Sequence, residues 1–268
     1  MSRHRHLTHV LVVTSALAVV WAMGSSPASR GSAARRVAAG VTIRTELSTA
    51  ASGHLGHASL PRTLLYALER NTTVDDSVTR WNPCQPIRWQ INPHGAPAGA
   101  LRIATEAVRR LAKVSGLDFV YAGTTTAIPQ SDWGANDDPP LTIAWARPGH
   151  GPGRSDLLPG GQTVGMGGTR STGSIVPGLL GLHMHISTAY VVLDADATRY
   201  FPATFAAQPS LGALLMHELG HAVGLGHAGD PNEIMYPTPV PGHASRWGIG
   251  DRIALHLVGI GAACIPTS

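Results

Sequence analysis

Residues 217–227 read His-Glu-Leu-Gly-His-Ala-Val-Gly-Leu-Gly-His. Three imidazoles, one carboxylate and a glycine stand there at spacings that metal chemistry can use. His217 and His221 are four residues apart, so on a helix they share one face. Two neutral imidazoles so placed can hold one Zn²⁺ at about 2.0–2.1 Å each. Glu218 adjoins the first ligand but lies round the helix from it, placed to take a proton from a water that the metal activates. On an unbroken helix His227 would stand roughly 15 Å along the axis from His217, too far to share an ion. The chain must therefore leave the helix after His221. Gly224 stands where that break is needed, because glycine takes positive φ at a helix C-terminus without strain. Even with 14 histidines in 268 residues, this register would arise by chance on the order of once in ten thousand.

Such a site needs a frame, and the chain offers an α/β order. Ile87 to Ile91 alternates as a strand. Pro97 to Ser115 has helical period, with Leu101, Ala104, Val108 and Leu111 on one face and Gly116 as the stop. Strands are expected at Phe119–Tyr121 and Leu141–Trp145, separated by a polar loop rich in Thr, Asp and Pro. Gly160 to Gly168 reads as a short, glycine-laced strand, with no Lys-Ser/Thr ending that would make it a phosphate loop. Ala189–Leu193 is a further strand. The helix carrying the first two histidines begins near Ser210, and a last helix runs from Asp251 to about Val258.

The pattern HExxHxxGxxH over His217–His227 resembles that of the metzincin clan of zinc endopeptidases. Glu233-Ile234-Met235-Tyr236-Pro237 follows, with Met235 eight residues beyond His227. The Met-Tyr-Pro order is similar to the matrixin branch, and Met235 corresponds to the methionine of the Met turn beneath the metal. Pro237 stands where other branches carry a tyrosine that approaches zinc, so the resemblance implies no fourth protein ligand from the turn. It implies an α/β (α+β) fold of the metzincin-like zincin type: a mixed, twisted five-stranded sheet, an active-site helix, the Met turn and a C-terminal helix. It also implies one catalytic Zn²⁺ on His217, His221 and His227, with Glu218 as general base. By strand order, Thr163, Val164, Gly165 and Met166 correspond to the antiparallel edge strand that holds extended substrate. An open edge offers backbone N–H and C=O groups to a peptide, and glycines there permit close approach.

The remainder suits an exported hydrolase. Arg3 and Arg5 precede an apolar run from Val10 to Met23, the length of a signal-peptide core and short for a membrane span. Residues 1–28 are accordingly read as a signal peptide, with an uncleaved anchor as the alternative. Residues 29–80 are polar and rich in Ser, Ala, Gly and Arg, a largely disordered spacer or pro-segment. Residues 81–268 form the catalytic domain, expected to act as a monomer without a stable membrane span. From Asn71 onward there are twelve Lys or Arg against fourteen Asp or Glu. The high pI thus belongs to the N-terminal segment, and a nucleic-acid partner, which requires a basic folded surface, is excluded. Lys113 is the only lysine, and with abundant Ala and Gly this is the composition of a GC-rich bacterial genome.

Cys84 and Cys264 are the only cysteines, and in an exported chain they are expected to form one disulfide. The alternative is a cysteine switch, but Asn82-Pro83-Cys84-Gln85-Pro86 lacks the matrixin pro-segment pattern. His183 and His185, two apart on a strand, could offer a second zinc site, although a solvated pair is the simpler reading. Asp194 and Asp196, with Asp137 and Asp138, could supply oxygens to Ca²⁺, although caps and turns explain them equally. The expected function is secreted, zinc-dependent cleavage of protein or peptide substrates. Hydrolysis of a non-peptide amide and a non-catalytic zinc-binding module are the alternatives, the latter disfavoured by Glu218, which holding zinc does not require.

Overall fold

The computed structural model describes residues 12–20, 65–70, 77–133, 139–175 and 182–266, with 12–20, 174–175 and 182–183 described as backbone only. In chain order the elements are β1 (Val12–Val20), β2 (Ala67–Leu68), β3 (Ile87–Asn92), α1 (Ala100–Ser115), β4 (Phe119–Thr124), β5 (Leu141–Pro148) and β6 (Arg154–Ser155). They continue with β7 (Thr163–Ile175), β8 (Leu182–Asp194), α2 (Ala195–Thr198), α3 (Leu211–Ala222), β9 (Leu225–Gly226) and α4 (Ile249–Val258). The main sheet runs β1-β7-β8-β5-β3-β4, with β6 beside β5. Strands β4, β3, β5 and β8 are parallel, and β7 is antiparallel to β8. This is the mixed α/β architecture that the metzincin resemblance implied. The sheet has seven strands where five were expected, because β6 adds a short strand and β1 adds one beyond β7.

Helix α1 begins at Ala100, three residues later than its periodicity suggested, because Gly99 takes a left-handed φ of 80° and breaks the helix upstream. Its buried stripe is Ala100, Ile103, Ala104, Ala107, Val108 and Leu111. Leu101, expected on that face, lies about a quarter-turn from its centre and is exposed. Gly116 ends the helix, its N–H bonded to the Ala112 carbonyl. Strands β7 and β8 each run for 13 residues, far beyond the short runs read from sequence. The distal half of β7 is mostly polar, with Arg170 against Thr188 and Thr172 against His185, whereas in β8 Leu182, Met184 and Ile186 alternate with polar residues and the last two are buried.

Helices α1 and α3 cover one sheet face. Ile87, Ile91, Ile143, Val191 and Leu193 meet Ile103, Leu111, Leu214, Leu215 and Leu219 in the main core. A smaller cluster of Ala146, Leu158, Met166, Tyr190 and Val192 forms separately. Cys84 and Cys264 are joined, 180 residues apart in sequence and 5.5 Å between Cα atoms. Beside the bridge, Asn82 bonds both the carbonyl and the N–H of Ile265, at 2.8 and 3.1 Å. Among the described residues no helix is long and apolar enough to cross a membrane.

Candidate metal centre

Helix α3 starts where Ser210 accepts a hydrogen bond from the Ala213 N–H, an N-cap that fixes the register of everything after it. All twelve of its residues are buried, so His217, Glu218 and His221 sit inside the protein. The helix ends at Ala222. Gly224 then takes φ +99°, and a Cβ there would overlap the Thr79 carbonyl oxygen, so both conformation and space demand glycine. The returning chain forms β9, which pairs antiparallel with β2, and the Glu69 N–H bonds the Gly224 carbonyl at 2.9 Å. Residues 67–69, read from sequence as spacer, therefore hold the turn that delivers His227. Nothing in their composition signals this role.

The three imidazoles converge, as their spacing predicted. His221 Nε2 lies 3.1 Å from His217 Nε2 and 3.2 Å from His227 Nε2. His217 Nδ1 is 2.6 Å from the Ile234 carbonyl, and His221 Nδ1 is 2.7 Å from the Leu225 carbonyl. A carbonyl only accepts, so each Nδ1 carries the proton and each Nε2 presents a lone pair. Lone pairs facing one another at these distances repel unless a cation lies among them. Tetrahedral Zn²⁺ with bonds of about 2.0–2.1 Å places neighbouring nitrogens roughly 3.3 Å apart, which these contacts match. The residues fit zinc. Among the described residues this is the one group of three or more His, Cys, Asp or Glu side chains gathered closely enough for a metal.

Burial keeps these groups neutral. His217 is pushed down to about 3 by burial and by neighbouring His227, and its bond to Ile234 opposes the shift. His221 is held well below its ordinary value by burial and by the other two histidines, and burial lowers His227. Neutral imidazole is the form that ligates. Glu218 is fully buried, and burial raises its carboxyl well above the ordinary carboxylate range. Neither of its oxygens forms a full hydrogen bond with a protein donor, although the Gly167 N–H lies close enough to oppose the shift. A buried carboxyl without partners, beside a convergent metal site, is a group ready to exchange a proton.

Glu218 also explains the glycines of β7. Gly165 and Gly167 share a face. A Cβ at Gly165 would come within 2.6 Å of Glu218 Oε1, and one at Gly167 would overlap the Glu218 carbonyl oxygen. The close approach these glycines permit is therefore from helix α3. Thr163, Val164 and Met166 are buried. The outer side of β7 is not open, because β1 lies antiparallel along it with Leu17 opposite Gly167 and Val19 opposite Gly165.

Met235 is buried under α3, where a Cβ on Gly220 would overlap its sulfur. The turn is held from α4: Asp251 accepts from the Ile234 N–H at 2.6 Å, the Met235 N–H at 3.2 Å and the Gly248 N–H at 3.0 Å. Glu233 answers by accepting from the N–H groups of Gly250 and Asp251, at 2.9 and 2.7 Å. Asp251 is pushed up to about 7 by burial and by the Glu233 charge. Sequence reasoning used Asp251 only as a helix start and missed this clamp; acidic residues 18 apart carry no periodic signal. Two of the four calcium candidates have protein partners. Asp194 caps α2 and Asp196 pairs with Arg147, while Asp137 and Asp138 lie outside the described residues. The side chain of His183, half of the second zinc candidate, also lies outside them.

Fold and site together bring three histidines into a cluster that could hold one metal ion. A matrixin (peptidase M10) family model matches residues 172–249, which include all three histidines, Glu218 and Met235. Over that segment the chain resembles the matrixins. A search of curated proteins gives no match. Among solved structures, metalloproteinase-II from Bacteroides fragilis is similar at 14% identity and a TM-score of 0.37, covering 69% of this chain and 56% of that protein. This chain thus spans little more than half the length of that relative.

Proposed function

We propose that the protein is a secreted endopeptidase in which Glu218 handles the proton of the attacking water. The observation that carries this reading is the juxtaposition of three convergent imidazole Nε2 atoms with a buried carboxyl, on the residue after His217, that no protein donor fully engages. His217, His221 and His227 would hold zinc, which when bound supplies Lewis acidity toward a carbonyl and makes water acidic near neutral pH. Glu218 accepts the proton of the water and returns it to the leaving amine, and burial sustains its proton affinity. The Nδ1 bonds to Ile234 and Leu225 orient two of the rings.

An extended peptide antiparallel to β7 suits the site, and the pairing of β1 there supports this, since it is the geometry a substrate strand would adopt. Residues 1–28 are read as the export signal. Its removal would vacate that side of β7. Residues 81–268 carry the catalytic machinery in this reading, and 67–69 brace it. The test is cleavage of casein and a peptide library, with and without chelator, by wild type and Glu218→Ala. The expected result is chelator-sensitive cleavage by wild type, and a variant that binds zinc but is inactive. Zinc binding without cleavage by wild type, or full activity in Glu218→Ala, would overturn the reading. N-terminal sequencing of the exported protein tests the leader.

A further inference from the structure

Between α1 and α4 lies a groove of about 990 Å³ that shares only Met216 of α3 with the neighbourhood of the metal centre. Trp247, Ile249, Ile253 and Leu257 give it an apolar lining. Ile249, Ile253 and Leu257 recur every four residues on one face of α4 and are 71%, 41% and 41% exposed. Single exposed apolar residues are ordinary, but three in helical register along one groove form a patch of the kind that marks an interaction site.

The charge around the groove is equally uneven. Arg109, Arg110, Lys113, Arg246 and Arg252 line it, and no carboxylate does. From Asn71 onward acids outnumber bases fourteen to twelve, yet five of those bases gather here. Glu106 pairs with Arg109 and Arg110 from outside the groove, and Arg110 also stacks on Phe205 and bonds the Ser245 carbonyl. Lys113, Arg246 and Arg252 form no ion pair with any described residue.

We propose that this groove docks an acidic amphipathic helix of a partner protein. Its apolar face would rest on Ile249, Ile253 and Leu257, and its carboxylates would meet Lys113, Arg246 and Arg252. The occupant follows from the chemistry. A helix about 10 Å across fits between two helices, its apolar residues at i, i+4 and i+7 match a stripe with the same period, and acidic flanks complement a cationic rim. A flat anionic bilayer meets a protruding surface better than a concave one.

The test uses the full chain and a labelled synthetic helix with Leu at i, i+4, i+7 and i+11 and Glu on both flanks. Controls are the same peptide with Lys for Glu, and a scrambled peptide of identical composition. Fluorescence anisotropy should show binding of the acidic helix alone, weakening as salt rises. Arg246→Glu with Arg252→Glu, and separately Ile249→Asp, should each weaken it about tenfold or more while thermal unfolding shows the fold intact. Ile249 is exposed enough that its variant should fold if the charge-reversal variant does not. Failure of wild type to bind the acidic helix, equal binding of the scrambled peptide, or unchanged affinity in Ile249→Asp would overturn the proposal. Binding to phosphatidylglycerol vesicles through these same residues, without binding to the helix, would also overturn it and make the groove a membrane surface.

Discussion

Met235 and Gly220 are in such close contact that each dictates the other: a Cβ on Gly220 would overlap the Met235 sulfur. Gly220 lies inside α3 between Glu218 and His221, where glycine costs helix stability and its absence of side chain is the only reason to keep it. Met235 therefore packs directly against the backbone that spaces the ligands, and the turn and the helix move as one unit. Gly220→Ala should destabilise the fold by about 1–3 kcal/mol through overpacking, despite its better helix propensity. It should also weaken zinc retention in a chelator competition. Adding Met235→Ala should restore part of the zinc affinity, and strict additivity of the two losses would speak against the contact.

Gly165 offers a sharper test of the proton-transfer role. It has an ordinary strand conformation, so alanine there is unstrained, and the main consequence is steric pressure on Glu218 Oε1. Gly165→Ala should retain zinc and lower kcat by up to about a hundredfold, as expected of a carboxyl displaced by the order of an ångström. Wild-type kcat in a folded Gly165→Ala protein would show that Glu218 is not the proton carrier or is free to move.

The Asp251–Glu233 clamp makes stability depend on pH. The folded-state value of Asp251 is raised from 3.8 to about 7. The unfolded chain therefore releases this proton first, and the contribution present at low pH is lost as pH rises toward about 7. Glu233→Gln removes the like charge and should move that loss to lower pH, even though the variant gives up one acceptor for the α4 N–H groups. Midpoints of thermal unfolding measured from acid to neutral pH should diverge in shape between the two proteins. Parallel curves would mean that the pair is not coupled.

The Cys84–Cys264 bridge spans 180 residues and ties the segment just before β3 to the segment after α4. Replacing both cysteines with alanine should cost about 2–5 kcal/mol, chiefly by freeing the unfolded ensemble. Reductant should lower the unfolding midpoint of wild type and leave that of the double variant unchanged. Because Asn82 pins Ile265 independently, the folded state of the variant should remain native by circular dichroism.

The sequence by itself determined the histidine cluster. His217, His221 and His227 with Gly224 are a local pattern, and helix period plus one positive-φ glycine is enough to bring the three rings together. It also determined the cysteine pairing, because only two cysteines exist, and the order of the core strands and helices, because alternation and amphipathic period are local signals too. What only the tertiary structure decided are relationships between residues far apart and lacking any period. Asp251 reaches back to the Met turn, Ala67–Leu68 hold the turn before His227, and Gly165 and Gly167 make room for Glu218. The polar distal half of β7 escaped notice because pairing with a neighbour, and not apolar alternation, keeps it in the sheet, whereas the alternation of Leu182, Met184 and Ile186 in β8 is a strand signal that the sequence does carry. Local patterns name the chemical groups; packing against distant backbone fixes where those groups point and how readily they hold a proton.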